Sequence, residues 1–169
     1  MHLFLYGDSG VGKSTIIQNA LSAHGLSPRG FLTTKQKEPD GSFRLYLNAA
    51  GEPPRYSSET LAADWRKNGP LVCYPETFNR QGLYALSDIP EKSLVLMDEI
   101  GRFERDAALF SARILEILNM DAPVIGVFQD RDTPLLHAIR AHERVEALHV
   151  TLANRNDISK KVMRFLNSI

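Results

Sequence analysis

The apolar run Leu3-Phe4-Leu5-Tyr6 stops at a glycine. The next eight residues read Gly7-Asp8-Ser9-Gly10-Val11-Gly12-Lys13-Ser14, and the segment from Thr15 to Leu21 carries apolar residues at helical spacing. Few local patterns restrict a fold as strongly. The run has the length and character of a buried strand. The pattern G-x-x-x-x-G-K-[ST] between a strand and a helix is that of a phosphate-binding loop. Its glycines let successive backbone N–H groups turn inward, where they and the helix N-terminus meet phosphate oxygens. Gly7, Asp8, Ser9, Gly10, Val11 and Gly12 would form the cradle. Lys13 would reach the β- and γ-phosphates, Ser14 would offer its hydroxyl to Mg2+, and Thr15 would help at the α-phosphate. A glycine-rich turn that only caps a helix requires neither Lys13 nor Ser14.

A second pattern fits the first. The strand-like run Leu94-Val95-Leu96-Met97 ends in adjacent carboxylates, Asp98 and Glu99. Charges at the end of a buried strand are costly unless a ligand or ion offsets them. Asp98 is expected to hold Mg2+, directly or through water, since this cation is commonly held by one or two carboxylates plus phosphate. Glu99, pointing elsewhere, would orient or deprotonate a water at the γ-phosphate. The plain alternative is a strand that ends in two solvated acids. Lys13 and Glu99 are thus the expected catalytic pair, and Ser14 and Asp98 the expected metal ligands.

The rest of the chain alternates between strand-like and helix-like segments. "LVCY", "LVLM", "APVIGVF" and "ALHVTLA" read as strands. Ser58 is a possible cap for a helix over Glu59 to Lys67. Leu109, Ala112, Leu115 and Leu118 form one helical stripe, with Phe110, Ile114 and Ile117 beside it. Thr133 and Pro134 open another helix, and "ISKKVMRFLNSI" closes the chain as an amphipathic one. Residues 30–57 differ. Two extended segments flank Pro39-Asp40-Gly41, and "EPPRYSS" could add a third, which suggests a β-hairpin insert on one edge. The pattern predicts a single α/β domain over 1–169, three-layered, with a mostly parallel sheet. Ligands then sit outside the carboxyl ends of the strands: at Gly7 onward, Pro75 onward, Asp98-Glu99, Gln129-Asp130 and Asn154-Arg155.

Lys plus Arg and Asp plus Glu both total 20 in 169 residues. That balance argues against a broad face for nucleic acid or anionic membrane. No stretch approaches the ~20 apolar residues of a membrane span, and no basic leader precedes the first strand, so the expected location is the cytoplasm. A lone cysteine, Cys73, excludes an internal disulfide and a multi-cysteine metal site. Packing in a strand is its expected role.

With both motifs placed, the chain resembles the THEP1 family of nucleoside-triphosphatases over nearly its full length. The resemblance rests on "GDSGVGKST", "RGFLTTKQ", "LVLMDEIGRFE", "APVIGVFQ" and "VTLANRNDI". It implies a RecA-like P-loop NTPase domain that slowly hydrolyses ATP, GTP and other nucleoside triphosphates with Mg2+. By position, Gly7 to Thr15 match the family's phosphate loop, Asp98, Glu99 and Gly101 its second motif, Glu104 a frequent acid, and Asn154-Arg155 its late Asn-Arg pair.

Several features stay open at this level. Asn154-Arg155-Asn156-Asp157 resembles a guanine-reading tetrad, but Asn156 or Asp157 could equally cap a helix. Asn154 and Arg155 could line the base, with loose stacking on the Arg plane that tolerates many bases. Gln129 is either a γ-phosphate sensor or an ordinary strand-end amide. Arg80, Arg102, Arg105 and Arg131 are each able to stabilise charge. Trp65 and the aromatics of 43–46 could form a partner surface or cover a core edge. A nucleotide or small-molecule kinase, or a nucleotide-gated accessory protein with negligible turnover, are the rival readings.

Overall fold

The computed structural model describes residues 1–169. In chain order its elements are β1 (His2–Tyr6), α1 (Lys13–Ala23), β2 (Arg29–Lys37), β3 (Phe43–Ala49), β4 (Leu61–Trp65) and β5 (Leu71–Cys73). Next come α2 (Pro75–Thr77), a wide π-turn over Phe78–Gly82, and α3 (Leu83–Ala85). The remainder is β6 (Val95–Ile100), α4 (Ala108–Asn119), β7 (Val124–Phe128), α5 (Pro134–Ala141), β8 (Val145–His149) and α6 (Arg155–Asn167). The eight strands form one sheet in the order β5-β4-β3-β2-β6-β7-β1-β8. The five strands from β2 to β8 in that order are parallel, and β3, β4 and β5 extend the sheet antiparallel.

The period-2 alternation of each central strand divides the core into two layers. In β1, Phe4 faces one way and Leu3 and Leu5 the other. In β6, Val95 and Met97 oppose Leu96, and in β7, Val124 and Phe128 oppose Ile125 and Val127. One layer is covered by the π-turn, α4 and α5 through Phe78, Phe110, Ile114, Leu136 and Ile139. The other is covered by α1 and α6 through Ile17, Leu21, Ile158, Val162 and Phe165. The result is the expected three-layer α/β fold.

Several local expectations are corrected. Residues 59–67 are not a helix: Leu61–Trp65 is β4, paired antiparallel with β3. "LVCY" is not a central strand but the edge strand β5, with Val72 exposed. Because β5 runs against the parallel strands, Pro75 lies at the opposite end of the sheet from the phosphate loop. "EPPRYSS" forms no strand. In α4 the core face is Phe110, Ile114, Ile117 and Leu118, while Leu109 is exposed.

The segment around 30–57 does contain a hairpin, β2–β3, with a turn in which Asp40 Oδ1 accepts from the Ser42 N–H at 2.8 Å. Its first strand is also a member of the parallel sheet, with Leu32 beside Asp98 of β6. Phe43 and Trp65 stack at 6.0 Å and Tyr46 is buried, so these aromatics cover a core edge. Cys73 is half-buried, and burial raises its thiol pKa. No helix is long and apolar enough to cross a membrane.

Candidate active site

The glycine loop follows β1 directly, and α1 starts at Lys13 with Gly12 at its N-cap position. Gly7, Gly10 and Gly12 take positive φ values of 135°, 86° and 93°, a region that side-chain-bearing residues rarely adopt. The turn they permit brings Lys13 back over the loop. Its Nζ donates to the Gly7 carbonyl at 2.8 Å and the Asp8 carbonyl at 2.7 Å. An ammonium carries three donors, so one N–H remains for a ligand.

Strand β6 brings the acids to the same place. Ser14 Oγ donates to Asp98 Oδ1 at 2.8 Å, joining residues 84 apart in sequence. Asp98 is 4% exposed. Burial is the larger influence on its carboxyl and raises the pKa from 3.8 to about 6, against the Ser14 hydrogen bond and Lys13. Glu99 diverges from Asp98. Its Oε1 accepts from Gln129 Nε2 at 2.7 Å, and its backbone N–H donates to Thr33 Oγ1 at 3.3 Å. Gln129 therefore touches the second acid. Gly101 makes room for it, since a Cβ at 101 would lie 2.2 Å from Gln129 Cδ.

Two adjoining clefts open on these groups. One, of about 340 Å3, is lined by Gly12, Ser14, Thr15, Thr33 and Asp98. The other, of about 360 Å3, is lined by Gly7, Asp8, Arg102, Gln129 and Arg131. Ser9, Lys13, Lys35, Glu99 and Phe103 belong to both. A larger cavity of about 880 Å3 lies farther out between α4 and α5, shares Arg102 and Arg131 with the second cleft, and contains Arg105 but none of the phosphate loop. The loop donors and the acids Asp98 and Glu99 converge on the two small clefts, not on the larger cavity. Arg80 lies elsewhere, donating to the Glu59 carbonyl.

The donor set suits a hard cation. A hydroxyl and a nearly buried carboxylate already meet, both are oxygen ligands, and no group of three or more His, Cys, Asp or Glu side chains forms a closed metal cage. That is the arrangement expected where phosphate and water complete the coordination of Mg2+.

The late Asn-Arg pair is divided by the fold. Asn154 turns its amide into its own loop: Oδ1 accepts from the Thr151 N–H at 2.8 Å and Nδ2 donates to the His149 carbonyl at 2.9 Å. Arg155 is exposed, and its guanidinium reaches the outer side of Gly12. Neither Asn156 nor Asp157 caps α6. The helix begins at Arg155, with Asn154 at its N-cap position, and Asp157 pairs with Lys160 at 3.2 Å within the first turns.

One contribution escaped the sequence reading: Thr33 and Lys35 reach the site from β2, signalled only by the polar alternation Thr33, Lys35, Lys37. Glu104, at the position of the acid that the family resemblance implies, is 2% exposed and accepts from the Gly101 N–H. Burial is the chief cause that lifts its pKa from 4.5 to about 7, with Glu99 nearby adding to the rise. Between those pH values the native state keeps a proton that the unfolded chain has released. Native stability therefore falls as pH rises from about 4.5 to about 7. At about 1.4 kcal/mol per tenfold step, the displacement corresponds to roughly 3 kcal/mol. Glu104→Gln keeps an acceptor for Gly101 without the ionisation. Urea denaturation at pH 5 and pH 8 should show the variant gaining on the wild type by up to about 3 kcal/mol as pH rises. Parallel pH dependences of the two proteins would contradict this.

Fold and site together define an α/β protein of the P-loop class, with a glycine loop and a strand-end acid pair facing one cleft. Comparison with known proteins agrees. The model of the family described as NTPase matches residues 2–163. A cancer-related nucleoside-triphosphatase homolog of Bos taurus is 27% identical over 186 aligned positions, covering 99% of this chain and 97% of its own. The nucleoside-triphosphatase THEP1 of Thermotoga petrophila is 24% identical, with 98% and 93% covered. The crystal structure of THEP1 from Aquifex aeolicus superposes with a TM-score of 0.77 at 20% identity, with 98% and 99% covered. The chain belongs to the NTPase family.

Proposed function

We propose that this protein binds a nucleoside triphosphate with Mg2+ and hydrolyses its terminal phosphate, with little preference for the base. The observation that carries the reading is the convergence of Lys13, Ser14, Asp98 and Glu99 on one cleft, with Ser14 Oγ and Asp98 Oδ1 in contact. Membership of the NTPase family supports it.

Ser14 and Asp98 would hold the Mg2+, which when bound neutralises charge on the β- and γ-phosphate oxygens. The loop N–H groups and the positive end of α1 hold the phosphate chain. Lys13 gives its remaining N–H to the terminal phosphates. Glu99, with one oxygen fixed by Gln129, presents the other to a water. That water's oxygen bonds to the γ-phosphorus as the bond from phosphorus to the β,γ-bridging oxygen breaks. Its proton passes to Glu99, and the products are a nucleoside diphosphate and inorganic phosphate. Broad base tolerance is supported by Asn154, whose amide is committed to Thr151 and His149, and by the exposed Arg155, whose planar head offers a stacking surface.

The test is phosphate release from ATP, GTP, CTP and UTP, with Mg2+ and with a chelator. Turnover of all four within about tenfold, and its loss in chelator, are expected. Release without added Mg2+ would remove the metal from the reading. Faster transfer of the phosphate to an organic acceptor than to water would make the protein a kinase.

A further inference from the structure

We propose that Lys35 of β2 is a catalytic residue, a cation built into the chain that contacts the γ-phosphate and stabilises the charge developing there. The inference rests on the triphosphatase reading and assigns a purpose to the β2–β3 hairpin.

Position is the first argument. Lys35 belongs to both clefts, together with Ser9, Lys13 and Glu99. Since Lys13 and Ser14 mark the phosphates and Glu99 the water, the boundary between the clefts is where the transferring phosphoryl sits. Of the two clefts, Arg102 and Arg131 line the second alone, away from Ser14 and Asp98.

Register is the second. The pairing of Leu32 with Asp98 sets Thr33 against the Glu99 backbone, and strand alternation returns Lys35 to the same face as Thr33.

The third is preorganisation. The ammonium lies 4.6 Å from the Phe43 ring centre and 5.5 Å from that of Phe103. Two aromatic faces hold a cation by its attraction to the ring quadrupole. Lys35 has no carboxylate within ion-pair distance, unlike Lys160 or Arg140, and its side chain is open to solvent. Surrounding protein nevertheless lowers its pKa from the usual lysine value, partly offset by Glu99. An ordered, unpaired cation aimed into a phosphate cleft costs little reorganisation when charge develops. In many phosphoryl-transfer proteins a partner supplies such a cation; here the hairpin supplies it in cis.

Lys35→Met keeps an unbranched stem between Phe43 and Phe103, and Lys35→Arg restores a cation. In wild-type protein, Mg2+, ADP and aluminium fluoride should form a trapped complex, and ATP should turn over. In Lys35→Met, kcat should fall on the order of 10²-fold, the scale for one preorganised donor. Trapping should be lost while ADP affinity and melting temperature stay near wild type, and Lys35→Arg should recover at least a tenth of kcat. A Lys35→Met kcat within twofold of wild type, with trapping intact, overturns the assignment and leaves the triphosphatase reading standing. So does a fall in ADP affinity and melting temperature that matches the fall in kcat, because Lys35 would then be packing only. A wild-type protein that neither turns over ATP nor traps the complex overturns both readings.

Discussion

Glu99→Gln is expected to lower kcat on the order of 10³-fold, within the range for a lost general base, and to leave nucleotide affinity within about threefold. The geometry separates the two effects. Ser14 is bonded to Asp98, not to Glu99, so the metal-side contacts survive. Glu99 meets the rest of the site through Gln129 Nε2 at 2.7 Å and through its own backbone N–H. A glutamine at 99 can still accept from Gln129 with its oxygen, but then presents an NH2 to the water. That group repels the water's hydrogens and accepts no proton. The shape is kept and the basicity lost, so single-turnover phosphate release should slow while equilibrium binding of ATP is nearly unchanged. A kcat within about threefold of wild type would remove Glu99 from the mechanism, and a parallel loss of affinity would reassign it to binding.

Such a prediction was accessible from sequence because both motifs are local. A strand, a glycine loop and a helix follow one another in the first 25 residues, and four apolar residues run straight into Asp98. Where the outcome depended on partners distant in sequence, the reading failed. Leu61-Ala62-Ala63-Asp64-Trp65 has helix-forming alanines. Yet both Ala62 and Ala63 are fully buried in β4, which pairs antiparallel with β3. Tertiary pairing outweighed propensity. In α4, Leu109-Ala112-Leu115 and Phe110-Ile114-Ile117 are overlapping stripes of similar spacing. Only the ring of Phe110 packing on Phe31 at 5.1 Å and Phe78 at 5.5 Å settles which faces the sheet. Lys35 shows the same limit at the site. Its alternation with Thr33 is visible in the sequence, but it acquires meaning only once β2 lies parallel to β6 with Leu32 beside Asp98. Asn154 reads as a base contact until its amide is seen bonded to Thr151 and His149.

Lys13→Ala should lower kcat/KM for phosphate release on the order of 10³-fold, and its effect on binding should grow with the number of phosphates. The ammonium is held by the Gly7 and Asp8 carbonyls, and in the proposed geometry its third N–H serves the end of the phosphate chain rather than the base. A charge-assisted hydrogen bond contributes about 1.5–3 kcal/mol. The loss in affinity should therefore be roughly 10- to 100-fold for a triphosphate, smaller for a diphosphate, and within about twofold for a monophosphate. Calorimetric titration with ATP, ADP and AMP reads this gradient directly. A general collapse of the loop, caused by releasing the two carbonyls, would weaken all three nucleotides alike. The gradient therefore separates a phosphate ligand from a structural brace. Its steepest step should fall between ADP and ATP, because in the proposed geometry the remaining Lys13 N–H serves the terminal phosphate. An equal loss for ATP, ADP and AMP would make Lys13 a brace for the Gly7 and Asp8 carbonyls rather than a phosphate ligand.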